Sequence, residues 1–441
     1  MEDVSRVGTA EAAGAAAPTE PADGRRRMRA TVAGVVGNTV EWVDWSIYGY
    51  FAPLFAESFF PSRDNATDLL ATLAVFALAF VMRPVGAAVL GTFADRHGRQ
   101  KGLALTVLLM AGSSMVMAVT PTYATIGIAA PVILVLTRLV QGFSAGGEFG
   151  SSSAFLVESA APSRRAFTGS WQQVSVGAGG LIAAAIAAVI TTVFDEQQQA
   201  AYGWRIAFAV CGLLGVVGLW LRTRVAETEQ FSQATQEGRV RANPLRVLLR
   251  DHPRAALRVF GITIAGTVTY YVWIVYLAQY AQLTTGLPLN QALWANTIAQ
   301  GVFIAALPLG GKLSDTYGRK PTMLAFAIGF AVLAWPMLAL LSDNFWGFLG
   351  LSILGMLLIV GYSANCATVM AEQFPAEVRT VGIALPYALA VAAFGGTAPY
   401  VITWLFSHHL ESWVALYLVI ASLIGVAVYA TMPETKGKDL T

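Results

Sequence analysis

The chain has 441 residues, of which 56% are hydrophobic and only 12% charged, with a mean hydropathy of +0.60. Soluble domains carry about a quarter charged residues, so this composition argues against a soluble enzyme or binding module, and the net charge of +2 points to no polyanionic partner. Both cysteines, Cys211 and Cys366, lie inside apolar segments, which excludes a disulfide framework and a cysteine metal site.

Residues 1–28 read as a disordered tail rich in Ala, Gly, Pro and Glu, without the apolar run of a signal peptide. Twelve apolar stretches follow, each near the roughly 20 residues that a bilayer core requires. They are 30–57, 69–91, 102–120, 126–150, 166–193, 204–223, 256–282, 291–310, 321–341, 345–370, 379–404 and 412–431. The first carries Asn38, Glu41, Asp44 and Tyr48 at steps of three, three and four, hence on one helical face. Two carboxylates one turn apart repel each other in a medium that already penalises charge, so Glu41 and Asp44 are the candidate proton carriers. The second span places Arg83, a permanent cation, beside Pro84.

Between the second and third spans lies a short basic turn containing Gly91, Asp95, Arg96, Gly98 and Arg99. It returns between the eighth and ninth spans, where Gly311, Asp315, Gly318 and Arg319 each stand 220 residues after their counterparts (315 − 95, 319 − 99). A four-point match in one register predicts two homologous halves. Thr316 stands where the first copy has Arg96, which predicts a weaker charge network in the second. In the fourth span Arg138, Gln141 and Glu148 are polar, and Glu158 to Arg165 is echoed by Glu372 to Arg379. The fifth span's Gly169, Gly177, Gly179 and Gly180 allow close helix approach.

Residues 224–255 break the apolar pattern and read as a linker whose basic side chains lie along lipid head groups. The second half has no mid-span charge. It offers Tyr270, Trp273, Tyr276 and Tyr280 on the seventh span, Asn296 and Gln300 on the eighth, and Asn365 on the tenth. The expectation is that the first half handles charge and protons while the second shapes the pocket, with Arg83, Tyr48, Trp273, Tyr276 and Asn365 touching substrate.

Of the 28 Lys and Arg, all but Arg63, Arg205, Arg83 and Arg138 fall on one side, which the positive-inside rule assigns to the cytoplasm. The predicted architecture is an all-α membrane protein with both termini cytoplasmic. Its six-helix halves cover 29–223 and 256–432, followed by a tail over 433–441. His97, His252, His408 and His409 lie in loops or at span ends, so neither a metal-spaced cluster nor a buried Ser/His/Asp set is predicted.

The two basic turns resemble the loop signature of the major facilitator superfamily. Gly37–Asp44, Met82–Gly86, Arg138–Gly142, Gly146–Gly150 and Phe394–Pro399 further resemble its metabolite:H⁺ symporter branch, over about Arg27 to Lys438. That resemblance implies uptake through the cell membrane by alternating access. The cargo would be a small organic acid such as α-ketoglutarate or another mono- or dicarboxylate. It also implies Arg83 as the substrate-anion arginine and Arg138 as the coupling arginine, while the residues themselves add Glu41, Asp44 and Glu148 as proton-coupling candidates. Both basic turns would be gates, and a monomer would draw on the proton gradient without a cofactor, a metal or nucleic acid. A zwitterion such as betaine or proline is the alternative cargo, since aromatic side chains could cage an ammonium. A transporter-like sensor is the alternative of another class.

Overall fold

The computed structural model describes residues 20–62, 64–97, 99–146, 148–158, 160–223, 244–375 and 378–438. Side chains are described from Asn38 onward, apart from 91, 92, 94–97, 99, 100, 103, 148, 151, 155, 221–223 and 244. Every regular element among these residues is helical. Hydrocarbon offers backbone amides no water to bond, so a spanning segment must satisfy them internally.

The helices come in the predicted order. The first half runs Glu20–Phe59, Asn65–His97, Arg99–Val119, the pair Ala129–Ser144 and Glu148–Glu158, Arg165–Val193 and Trp204–Thr223. The second runs Pro253–Thr285, Leu289–Tyr317, Arg319–Ala339, Phe345–Ala371, Arg379–Ser407 and Ser412–Thr431. Nine of these are long and apolar enough to cross a membrane among the described residues. Large apolar side chains such as Val119, Val332 and Trp346 remain exposed on the outside, a surface suited to lipid.

Several boundaries differ from expectation. The first helix begins at Glu20, inside the stretch read as an unstructured tail; residues 1–19 lie outside the described residues. The fourth span is two helices, and the linker contains a short helix, Pro244–Asp251, just before the seventh span starts at Pro253. The seventh and eleventh spans each widen into a π-helical turn, Tyr271–Tyr276 and Val391–Gly395. Such turns shift the register of every later side chain, which a steady 3.6-residue reading cannot foresee.

Of these nine, the seventh span is the most enclosed, 94% buried where the other eight are 33–50%. The fifth and eighth spans pack along their length, as do the second and fourth. A side chain at Gly142 would enter the backbone at Ala79, and one at Gly86 the backbone at Phe143. Only glycine permits this contact, which brings Arg83 of the second span close to the fourth.

Candidate functional site

The first four spans build the charged interior. Asp44 accepts a hydrogen bond from Ser114 of the third span, and Ser114 accepts one from Gln141 Nε2 of the fourth at 2.9 Å. Asp44 Oδ2 is buried without a partner. Arg138 is 1% exposed, and its Nε, Nη1 and Nη2 are all buried without a hydrogen-bond partner. Its guanidinium lies over the Tyr48 ring at 4.2 Å and the Phe208 ring at 5.4 Å. Asp44 and Arg138 attract one another without a hydrogen bond between them.

Arg83 has an aromatic surround. Its guanidinium carbon sits 4.1 Å from the centre of Trp45, 4.4 Å from Phe80 and 5.7 Å from Trp42. Buried cations rest on ring faces because the quadrupole is negative there, a contact of about 2 kcal/mol when desolvated. Arg83 Nε, Trp45 Nε1 and Tyr271 Oη are donors buried without partners in this neighbourhood, where Tyr271 packs on Phe80 with ring centres 5.6 Å apart. Phe76 bridges to the other arginine: it lies 5.1 Å from Phe80 and stacks on Tyr48 at 5.6 Å. An aromatic ladder thus joins the two guanidinium groups.

The predicted site residues divide. Glu41, Asp44, Arg83 and Arg138 are buried within the first half. Tyr48 donates its hydroxyl to Thr72 O at 2.8 Å, so its ring face, not its hydroxyl, serves the site. In the second half, Trp273 donates to Ser352 O at 3.3 Å and packs on Phe330; Tyr276 is hydrogen-bonded to Thr403. Asn365 donates to Thr322 Oγ1 and Gly361 O. All four bonds stay inside the second half. The π-helical turn presents Tyr270 and Tyr271 to the first half instead, against Trp42, Phe76 and Phe80. Ser114 and Tyr271 were missed in the sequence, since one of two adjacent serines in an apolar span and a tyrosine in an aromatic run carry no separate signal. The side chains of Glu148, Asp95, Arg96 and Arg99, together with Gly91 and Gly98, lie outside the described residues.

The halves meet at both ends. At the end bearing the second basic turn, Asp315 accepts from the backbone N–H of Ala166 and Phe167, at the start of the fifth span, at 3.0 and 2.9 Å. Arg319 is fully buried between Asp315 at 2.9 Å and Glu372 at 3.2 Å, and Arg379 reaches across to Glu158 at 2.6 Å. Gly318, at φ +110°, makes the turn that aims Arg319 inward. The tail joins in: Glu434 accepts from the N–H of Arg319 and Lys320, Thr435 donates to Glu372, and Arg165 bonds Lys438 O. The second copy forms these ion pairs without position 316, and the charged side chains of the first copy lie outside the described residues. At the opposite end the clasp is neutral. Tyr50 donates to Ile274 O at 3.1 Å and accepts from Asn296 and Gln300 at 3.1 and 2.7 Å.

The sequence profile of the Major Facilitator Superfamily matches residues 35–385 and 259–440. The chain belongs to the major facilitator superfamily. It is a multi-pass membrane transporter, not an enzyme. It is 38% identical to the alpha-ketoglutarate permease of Escherichia coli K12 over 95% of this chain and 96% of that one. It is 32% identical to a proline/betaine transporter of Salmonella typhimurium over 95% of this chain and 85% of the relative. With the citrate-proton symporter of Klebsiella pneumoniae it shares 33% identity over 87% of each. A solved superfamily proton:xylose symporter, bound to 6-bromo-6-deoxy-D-glucose, superposes with TM-score 0.75 at 20% identity, covering 95% of this chain and 98% of that one. That match supports the fold of this major facilitator. Its two clasps lie where such a fold must part to open toward either side.

Proposed function

We propose that this major facilitator is a proton-coupled symporter that takes up a small carboxylate by alternating access. The observation carrying the reading is the set of buried, unpartnered donors around Arg83, namely its own Nε, Trp45 Nε1 and Tyr271 Oη. A buried cation left short of acceptors is costly, and a carboxylate is the ligand that offsets the cost with charge-assisted bonds. The Trp42, Trp45 and Phe80 faces of the first two spans are covered by Arg83 rather than open to an ammonium, which favours an acid at this site. The names of the permease and citrate relatives point the same way.

The proton is read onto Asp44. With Asp44 ionised, its charge offsets Arg138; protonation removes that attraction and leaves both arginines to the substrate. Substrate and proton then need one another, which is symport. The basic end is read as cytoplasmic from its Lys and Arg excess.

Uptake of labelled organic acids into proteoliposomes, with and without an inward pH gradient, tests this. Arg83→Lys keeps the charge but loses the planar fork. It is expected to lower uptake about 100-fold, and wild-type uptake would remove Arg83 from the site. Asp44→Asn is expected to exchange substrate across the membrane yet fail to accumulate it. Retained pH-driven accumulation would place the proton elsewhere.

A further inference from the structure

The short helix Pro244–Asp251 stands at the junction of the linker and the seventh span. It opens on a proline, whose fixed φ suits a first helical turn. It stops at Asp251 because His252, the residue before Pro253, is held out of the helical region at φ −127°. A helix of this length does not hold together in isolation. Leu248, fully buried, anchors it, and it packs on the seventh span and on the start of the eleventh. Arg258 shows which end of the molecule this is. Its Nη1 donates to Gln373 Oε1 at 2.7 Å, beside the Glu372 that holds Arg319. The helix thus lies at the basic end, where the seventh span begins.

With 3.6 residues per turn, its outward side chains fall into two adjacent stripes. Leu245 and Leu249 lie one turn apart, next to buried Leu248, yet they are 43% and 59% exposed. Arg246 and Arg250 form the next stripe round, and both are exposed. The first turns of the seventh span add Arg254, exposed, and Leu257, 72% exposed. Among the described residues none of these three arginines has a hydrogen bond or an ion pair. Asp251, the one acid of the helix, lies off their stripe.

Open leucines and unpaired arginines side by side, at the mouth of a membrane span, match a bilayer surface. Acyl chains take the leucines, and lipid phosphates take the guanidinium forks at the depth just above. A soluble polyanion would meet the arginines and leave the leucines in water. We propose that Arg246, Arg250 and Arg254, with Leu245, Leu249 and Leu257 beside them, form a docking surface for anionic phospholipid headgroups. The surface is independent of the cargo the transporter carries.

The test uses the full chain in phosphatidylcholine, with or without phosphatidylglycerol, and a spin label on Leu249→Cys. Cys211 and Cys366 are buried, so the introduced thiol takes the label. Collisions with oxygen, which partitions into hydrocarbon, should exceed collisions with a water-soluble nickel chelate. The reverse would put the leucines in water and overturn the bilayer as partner. A fluorophore on the same cysteine should then find acyl-labelled phosphatidylglycerol in local excess over acyl-labelled phosphatidylcholine. The excess should be about fivefold, the factor for one arginine near an anionic surface. Changing Arg246, Arg250 and Arg254 together to Gln should remove it while keeping the oxygen signature. Raised salt should lower it in the protein that keeps its arginines. Equal proximity of the two lipids, or an excess that survives either the substitutions or the salt, overturns the proposal. A triple variant that folds badly would lose the oxygen signature, and the salt series then decides.

Discussion

Two pairs of buried arginines divide the molecule. Arg83 and Arg138, mid-span in the first half, rest on aromatic rings, with Arg83 Nε and all three guanidinium nitrogens of Arg138 buried without a hydrogen-bond partner. Arg319 and Arg379, at the basic end of the second half, are just as buried, yet Arg319 is held by Asp315, Glu372 and Ser314 O, and Arg379 by Glu158, Ala371 O and Phe374 O. A buried cation whose hydrogen bonds are met is a structural tie, whereas one left short of acceptors is poised for a ligand. The difference lies in partners rather than in depth.

Removing one arginine of each kind breaks the comparison most directly. Arg319→Met strands Asp315 and Glu372 and is expected to cost about 3–5 kcal/mol, read as a large fall in Tm in detergent. Arg83→Met replaces a cation that rests on ring faces and is expected to lower Tm by less than Arg319→Met does while ending uptake. Equal losses of Tm would dissolve the distinction.

The clasps sharpen it at smaller scale. Tyr50→Phe leaves Ile274 O and two amides with one partner fewer at the neutral clasp, a loss of roughly 1–2 kcal/mol. The equilibrium should shift toward states open at that end, seen as faster alkylation of a cysteine introduced beside Asn296. An unchanged alkylation rate would mean the hydroxyl does not hold the halves together.

The smallest effect is expected at Glu434. Partial burial works to raise its carboxyl, but N–H donors from Arg319, Lys436, Lys320 and Thr435 together hold it below the usual carboxylate range. A depressed carboxyl contributes stability that is complete above its ordinary value and is lost only as pH falls through the lowered one. The tail contact should therefore be constant from pH 5 to 8 and weaken in stronger acid. Glu434→Gln should abolish that acid dependence, and an identical acid profile in the variant would exclude Glu434 as its source.

The partners of three second-half residues were not legible in the sequence. Asn365, Trp273 and Tyr276 look like a pocket because each is polar or aromatic in an apolar run. The fold turns them toward the ninth, tenth and eleventh spans, where Thr322, Ser352 and Thr403 meet their polar atoms. A π-helical turn at Tyr271–Tyr276 moves the partner surface to Tyr270 and Tyr271. Ser114 lies 70 residues from Asp44, and only packing of the third span on the first brings them together.

By itself the sequence determined the bilayer as solvent, the order of the spans, the duplicated turn and the charge of the first half. Each of these follows from local composition or from a repeat at constant offset. Only the tertiary structure decided which buried polar groups satisfy one another and which are left over. That balance depends on what neighbouring helices present at each depth. A side chain becomes a candidate for binding when its neighbours leave it unpaired, and no stretch of its own helix can say so.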